Sequence, residues 1–525
     1  MRSEVSHPAA RFARFAQFAQ SVRWRCWGEL LILPLLFFLI LVPWAVAAPV
    51  GGTPDADFHL NSILCSAQNR GGICRHSATD ARIVEVPTNT EAVNCYIKTP
   101  TDSAACVESA LKSGNAEMHR TKRWNSEGAY PSFYYRFHSL YAGKNLVLTT
   151  MLTRLVNAAL AAVLTGAVAG LLGRNRRRNL WLTVLVTQVP LGLSLLSSLN
   201  PSSWATLAPV LVFFAICGAM ERDSASVKRR AGLVILAVVS FMYGSGARWD
   251  SVVFCGLALL AALAWGLDFS ALRRRFRGAG TISGVAVSLV VFLLVIIAVS
   301  ARFLHSTVLG DFFAAVLGRD AAERQSRHDI FMNLLNIPDY FLGVFGLWPL
   351  GALEIDLPRV VPFLGFAVCS GVLFLALCQA SRRTNLIALV LLLFYVAMPL
   401  LLLFEKHATV GVYVQPRYLL PLLTLIVGVW LYPFNRSALM VSVQRWVIGL
   451  GTTVSASVAL YAVAMRYWRG TQYLPGESTW WWKGVPGPHF WLVMEVLTFG
   501  IWAVIILRES RQNQPESAEK DLRTE

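Results

Sequence analysis

The sequence predicts an all-α integral membrane protein with about twelve transmembrane helices and one disulfide-containing loop domain outside the membrane. Three observations predict it. The chain of 525 residues is 55% apolar and only 15% charged, with a mean hydropathy of +0.52. Apolar stretches long enough to cross roughly 30 Å of hydrocarbon recur along it. Lys and Arg gather in alternate connections between those stretches, as in loops retained in the cytoplasm. A soluble enzyme with one anchor does not reach this composition.

The first apolar stretch, 29–48, follows a basic cytoplasmic N-terminus, 1–28, that carries Arg2, Arg11, Arg14, Arg23 and Arg25. Phe12, Phe15 and Phe18, spaced by three, suit a helix lying on the inner membrane surface. The basic leader and Ala45-Val46-Ala47 also fit a secretory signal, whose cleavage would leave eleven spans in the same orientation. The polar motif directly behind this stretch favours its retention as an anchor. Spans two to seven are expected within 147–301, at 147–172, 180–199, 205–220, 231–246, 251–268 and 281–301. Spans eight to twelve are expected within 359–507, at 359–379, 386–404, 416–432, 446–465 and 490–507. The tail, 508–525, is polar, mixed in charge and expected to be disordered in the cytoplasm.

The basic runs fix the orientation. Arg174 to Arg178, then Arg222 with Lys228, Arg229 and Arg230, then Arg273, Arg274, Arg275 and Arg277, then Arg382 and Arg383 all fall on the side of the N-terminus. The positive-inside rule makes that side cytoplasmic. The net charge of +17 is thus a topology signal, and a nucleic-acid partner is not expected. Walker, Rossmann, His-Glu-x-x-His and Gly-x-Ser-x-Gly patterns are all missing. That argues against nucleotide hydrolysis, soluble sugar-nucleotide use on a Rossmann fold, zinc proteolysis and α/β-hydrolase chemistry.

Two segments face outward in this topology. The segment 302–358 has a charged, helix-compatible part, Asp311 to Asp329. An apolar part, Phe331 to Leu353, is broken by Pro338 and Pro349; it reads as interfacial or re-entrant. Trp480-Trp481-Trp482 reads as an aromatic belt at the outer interface. The segment 49–146 is long enough for a small domain. It holds Cys65, Cys74, Cys95 and Cys106, which suggest two disulfides in an oxidising compartment, with three possible pairings. Zinc is the weaker alternative, because the first pair is too widely spaced for a short Cys-x-x-Cys hook. Cys217, Cys255, Cys369 and Cys378 lie inside apolar spans as small core residues, and Cys26 lies just before the first span.

The 49–146 segment opens with Thr53-Pro54-Asp55-Ala56-Asp57-Phe58-His59, where two carboxylates and an imidazole leave the membrane together. Ionisable groups at a membrane boundary are costly to hold dry, so they are candidates for function. The plain alternative is that they cap a helix and face water. Asp55 and Asp57 also spell an Asp-x-Asp pattern that can hold a divalent cation, although no cofactor is certain.

Four stretches together resemble a known family: Pro54-Asp55-Ala56-Asp57-Phe58-His59, Tyr130-Pro131-Ser132-Phe133-Tyr134, Leu199-Asn200-Pro201-Ser202-Ser203-Trp204 and Gln415-Pro416-Arg417-Tyr418-Leu419-Leu420-Pro421. Their order and placement resemble domain-of-unknown-function family 2142, bacterial polytopic membrane proteins. Gly343-Val344-Phe345-Gly346-Leu347-Trp348, leading to Asp356-Leu357-Pro358, is similar to a fifth. The resemblance covers roughly 50 to 435. The chain departs from the family pattern at Ala56, where Glu is frequent, at Pro416, where glycine is usual, and around Trp348, which is displaced on a longer loop.

That family is in turn similar to the GT-C glycosyltransferases, which take a sugar from a polyprenyl-phosphate carrier at the outer membrane face. The basic runs and the even span number place both termini in the cytoplasm, and the resemblance implies a GT-C-like fold in a bacterial plasma membrane. It implies a polyprenyl-phosphate-linked sugar as donor, an envelope glycan or lipid as acceptor, and membrane lipids as further partners. It places the catalytic carboxylate at Asp55, with Asp57 as runner-up and His59 orienting the carboxylate or acting on the phosphate. It makes Arg417 a phosphate ligand, since guanidinium grips phosphate bidentately, with Tyr418 beside it; snorkelling to headgroups is the alternative. Arg248 is a substrate contact or an ion-pair partner of Asp250. Glu405, Lys406 and His407 form a further outer cluster. Arg324, Arg327 and His328 could serve the acceptor or carrier, or form a solvated helix face. The rival functions are a transporter or flippase of lipid-linked sugars, an envelope glycan polymerase or ligase, and a scaffold that binds partners through the cysteine loop. A transporter would place polar groups near the bilayer midplane, whereas here they gather at its boundary.

Overall fold

The computed structural model describes residues 22–66, 73–113, 117–221, 226–266, 324–435, 440–471, 480–482 and 484–508. The leader phenylalanines, the basic run from Arg273, the span expected at 281–301 and the polar tail lie outside these residues.

The chain enters through α1, Val22–Ala47, and then passes into the 49–146 domain. Within it α2 (Ala56–Cys65), α3 (Asn89–Ala92), α4 (Cys106–Ser113) and α5 (Ser132–Ser139) surround three short strands, β1 (Arg75–His76), β2 (Val84–Pro87) and β3 (Met118–Thr121). The strands pair antiparallel in the order β1-β2-β3, with Val84 opposite both His76 and Thr121. This sheet corrects the all-α expectation. Alternation in Val84-Glu85-Val86-Pro87 buries the two valines against Cys65, Cys74 and Trp124, the period-two pattern of a half-buried strand. The disulfides are Cys65–Cys74 and Cys95–Cys106, each closing a short loop.

The remaining helices are α6 (Leu146–Leu171), α7 (Arg174–Thr187), α8 (Leu191–Leu196), α9 (Ser202–Ala205), α10 (Ala208–Met220), α11 (Val227–Ser245), α12 (Trp249–Gly266), α13 (Arg324–Asn336), α14 (Pro338–Val344), α15 (Val360–Leu377), α16 (Arg382–Glu405), α17 (Pro416–Leu431), α18 (Ser442–Arg469) and α19 (Pro488–Leu507). Among the described residues, eight helices are long and apolar enough to cross a membrane. Three expected spans fall short of that for identifiable reasons. The one at 180–199 is cut at Pro190, which has no N–H to continue α7, so α7 and α8 are separate. The one at 231–246 is continuous in α11, but its first turn holds Lys228, Arg229 and Arg230. The one at 416–432 forms α17, which is only 16 residues long.

Close packing sets the position of α1. Phe37 stacks on Trp502 of α19 at 5.3 Å and meets Trp181 of α7 edge-on. Gly166 of α6 lets Pro34 approach so closely that a Cβ there would lie 2.7 Å from it. The last turn of α1 leaves carbonyls without helical partners. Fully buried Arg154 of α6 reaches across to take them, donating to Ala45 (2.9 Å), Ala48 (2.5 Å) and Pro49 (2.7 Å). A cation at a helix C-terminus also complements the helix dipole. The 49–146 domain is fastened at a second point. Arg466 of α18 donates to the carbonyls of Tyr96 (3.0 Å) and Asp102 (2.7 Å). Gly470, just beyond α18, has φ +76° and lies against Thr101, where a Cβ would come within 1.9 Å of the carbonyl oxygen.

Candidate functional site

The turn fixed by Arg154 delivers Asp55 to the N-terminus of α2. Asp55 has φ +55°, in the left-handed region, which Asp tolerates better than most residues. Its carboxylate makes no capping bond to α2. Oδ2 instead accepts from Nη2 of Arg417 at 2.9 Å. Arg417 follows Pro416 at the start of α17, so proline's fixed φ begins the helix and the guanidinium sits in its first turn. The same Nη2 donates to the Tyr418 hydroxyl at 3.1 Å. Arg417 is 6% exposed and Asp55 44%. Nε and Nη1 of Arg417 are buried without a hydrogen-bond partner.

Arg417 lines a shallow cleft, open to solvent at its mouth, whose walls are mostly apolar: Pro54, Leu191, Leu195, Trp348 and Leu353 line it with the polar Ser194 and Gln415. Oε1 of Gln415 is also buried without a partner. Two buried polar groups left unpaired on one apolar cleft are costly in a finished interior.

Across Tyr418 lies a second guanidinium. Arg248, between α11 and α12, is 4.8 Å from the Tyr418 ring centre and 5.6 Å from that of Tyr130, and Arg417 is 5.1 Å from Tyr418. Unlike Arg417, Arg248 is engaged. It grips both oxygens of Asp250 (2.5 to 3.1 Å) and donates to Ser202 Oγ at 3.2 Å. Burial disfavours its charge, but the adjacent Asp250 outweighs burial and raises its pKa above the usual value.

The other two members of the acidic motif bind neither Arg417 nor the cleft. Asp57 holds Arg123 with both oxygens, at 2.5 and 2.9 Å. His59 is fully buried, with Nδ1 2.9 Å from the Tyr135 hydroxyl and Nε2 3.1 Å from Asn200 Nδ2. The Asn200 amide is oriented by its other bonds: Nδ2 donates to the Pro54 carbonyl and Oδ1 accepts from Ser202 N–H. Nε2 therefore accepts, and the imidazole proton sits on Nδ1, donated to Tyr135. Burial, followed by the charges of Arg417 and Arg248, holds the His59 pKa well below its ordinary value. His59 is thus a neutral support under the Asp55 turn. Asp55 and Asp57 are each committed to a different guanidinium. No group of three His, Cys, Asp or Glu side chains that could hold a metal occurs among the described residues. The donor set does not fit the divalent cation suggested by Asp-x-Asp.

The family model described as predicted membrane protein (DUF2142) matches residues 37–426. The chain belongs to this family. No curated protein and no solved structure matches it. The DUF2142 match begins inside α1 and ends inside α17, so it includes both Asp55 and Arg417 and excludes α18 and α19.

Among the other residues singled out in the sequence, Glu405 and Lys406 pair loosely at 3.6 Å. His407 adopts φ +47° beyond α16, and His328 is exposed on α13; none of these lines the cleft. Several participants are not apparent from sequence. Arg123 and Arg154 carry no local signal, because each acts on a partner distant in the chain. Glu354 is similar: with Gly52, it is bonded to the Tyr467 hydroxyl, and burial pushes its carboxyl pKa up.

Proposed function

We propose that the protein is a membrane glycosyltransferase, moving a sugar from a polyprenyl-phosphate donor to a cell-envelope glycan or lipid acceptor at the outer face of a bacterial plasma membrane. The observation that carries this reading is that Arg417, a wall residue of one apolar cleft, pairs with the half-exposed Asp55 while two of its guanidinium nitrogens stay unpaired. An isoprenoid chain suits apolar walls and its phosphate suits the guanidinium. Asp55 takes the proton of the acceptor hydroxyl as that oxygen attacks the anomeric carbon. The bond from the anomeric carbon to the phosphate oxygen breaks, the electron pair leaves with the phosphate, and Arg417 stabilises the added charge. Arg248 and Tyr418 hold the field and position of Arg417. His59 and Asn200 hold the turn that presents Asp55.

The test is an envelope-glycan analysis of a deletion strain rescued with wild type, Asp55→Asn or Arg417→Ala at matched abundance. The expected result is a sugar lost on deletion, restored by wild type and restored by neither variant. Full restoration by Asp55→Asn removes Asp55 as the base. A deletion that leaves every envelope glycan intact removes the transferase reading itself.

A further inference from the structure

We infer that the Asp55–Arg417 pair is a latch that the donor phosphate opens, so that the base is released only when the donor is in place. This rests on the phosphate-binding role given to Arg417 above. A guanidinium grips an oxyanion with two parallel N–H bonds along one of two edges, Nε with Nη2 or Nη1 with Nη2. Both edges include Nη2. That nitrogen has two hydrogens, and its two partners are Asp55 Oδ2 at 2.9 Å and the Tyr418 hydroxyl at 3.1 Å. The nitrogens left unpaired are Nε and Nη1, one on each edge. A phosphate arriving at either edge finds half of its grip vacant and half occupied.

Of the two occupants, Asp55 is the one to leave. It repels the incoming anion, whereas the Tyr418 hydroxyl does not. Its side chain is 44% exposed and its carboxylate makes no other bond to its own helix. Tyr418 is held between Arg417 and Arg248. The carboxylate oxygen that accepts from Nη2 is turned to Arg417 and is not free to face an acceptor hydroxyl. Transfer of Arg417 from carboxylate to phosphate therefore converts Asp55 from an ion-pair partner into a free base. Without donor, an acceptor or water reaching the site early meets a carboxylate oxygen already engaged by Arg417.

The experiment measures equilibrium binding of farnesyl phosphate, with farnesol as the phosphate-free control, to the purified full-length protein in detergent. The proteins are wild type, Asp55→Asn, Asp57→Asn and Arg417→Gln, with the melting temperature of each recorded to confirm folding. Asp55→Asn removes the negative charge that competes for Nη2 and is expected to bind farnesyl phosphate about fivefold more tightly than wild type. Asp57→Asn removes the same charge two residues away but leaves the latch closed, so its affinity should stay within about twofold of wild type. Arg417→Gln should lose the preference for farnesyl phosphate over farnesol. Equal tightening by both aspartate variants overturns the latch in favour of general charge repulsion. No tightening in folded Asp55→Asn, with the phosphate preference still lost in Arg417→Gln, overturns the latch and leaves the phosphate site standing. A phosphate preference unchanged in Arg417→Gln overturns both.

Discussion

The two ends of α17 each carry an arginine–carboxylate pair beside a tyrosine ring, and only one pair is incomplete. At the far end, Arg176 of α7 lies 4.5 Å over the ring of Tyr432. Its Nε donates to Glu221 Oε1 at 2.7 Å and its Nη1 to the Tyr432 carbonyl at 2.6 Å. The Tyr432 hydroxyl returns to the same Glu221 oxygen at 3.0 Å. Cation, anion and ring close on one another, as polar groups do when their work is to join helices. At the near end Arg417 meets Asp55 and Tyr418 with one nitrogen and leaves two buried and unpaired on a cleft. The same three residue types thus build a clasp where every strong bond is made, and a receptive site where some are withheld.

Substitutions should separate the two ends. Arg417→Ala is expected to reduce donor-dependent turnover about 10²- to 10³-fold, read by transfer from a polyprenyl-phosphate-linked sugar, with the fold intact by melting temperature. Near-normal turnover would make Arg417 as structural as Arg176. Arg176→Ala should do the reverse. Loss of a partly buried guanidinium that holds Glu221 and the Tyr432 carbonyl should destabilise the protein by about 2 kcal/mol, seen as a lower melting temperature in detergent, with turnover per folded molecule unchanged. A loss of turnover without a loss of stability would erase the contrast.

Acid provides a finer probe of the neutral support beneath Asp55. His59 is held neutral in the fold by burial. His138, on α5, is similarly buried and its pKa is pushed down to about 3. Unfolding exposes both to their ordinary value of 6.5, so below that pH the unfolded chain binds protons that the fold refuses. Stability is then fully present above about pH 6.5 and declines as pH falls, by about 1.4 kcal/mol per pH unit for each histidine. Melting temperatures between pH 8 and pH 5 should show this loss, and His59→Gln should flatten it by one proton's share. A slope unchanged by His59→Gln would mean that His59 is charged in the fold. The smallest effect is expected for Asp57→Asn. Its partner Arg123 has a side chain 53% exposed, so the pair should contribute no more than about 1 kcal/mol, and turnover should stay near wild type. A large loss of turnover would bring Asp57 back as the base.

Much of this was legible because ionisable residues at the ends of apolar stretches are conspicuous. Asp55, Arg417, Tyr418 and Arg248 are all such residues, and they meet in the fold. What joins them was not legible. Leu191 and Leu195 reach the cleft of Arg417 from a distant part of the chain, and nothing local marks either. Arg154 reads as a stray charge inside an apolar span until the carbonyls it serves at the end of α1 are seen. The break at Pro190 could have been read from proline's missing donor, yet the apolar run on both sides hid it. The β-sheet of the 49–146 domain was not legible because its strands run only two to four residues, too short for the alternation in Val84 to Pro87 to stand out. The disulfide pairing depended on which loops close locally, a fact of the fold rather than of spacing alone.

The most direct measurement is the steady-state kinetics of purified Asp55→Asn with a polyprenyl-phosphate-linked sugar as donor. The account predicts a kcat lower by about 10²- to 10⁴-fold, with donor KM unchanged or reduced because Arg417 is freed for the phosphate. A kcat near wild type would contradict it, since the carboxylate that Arg417 holds would then have no part in the chemistry.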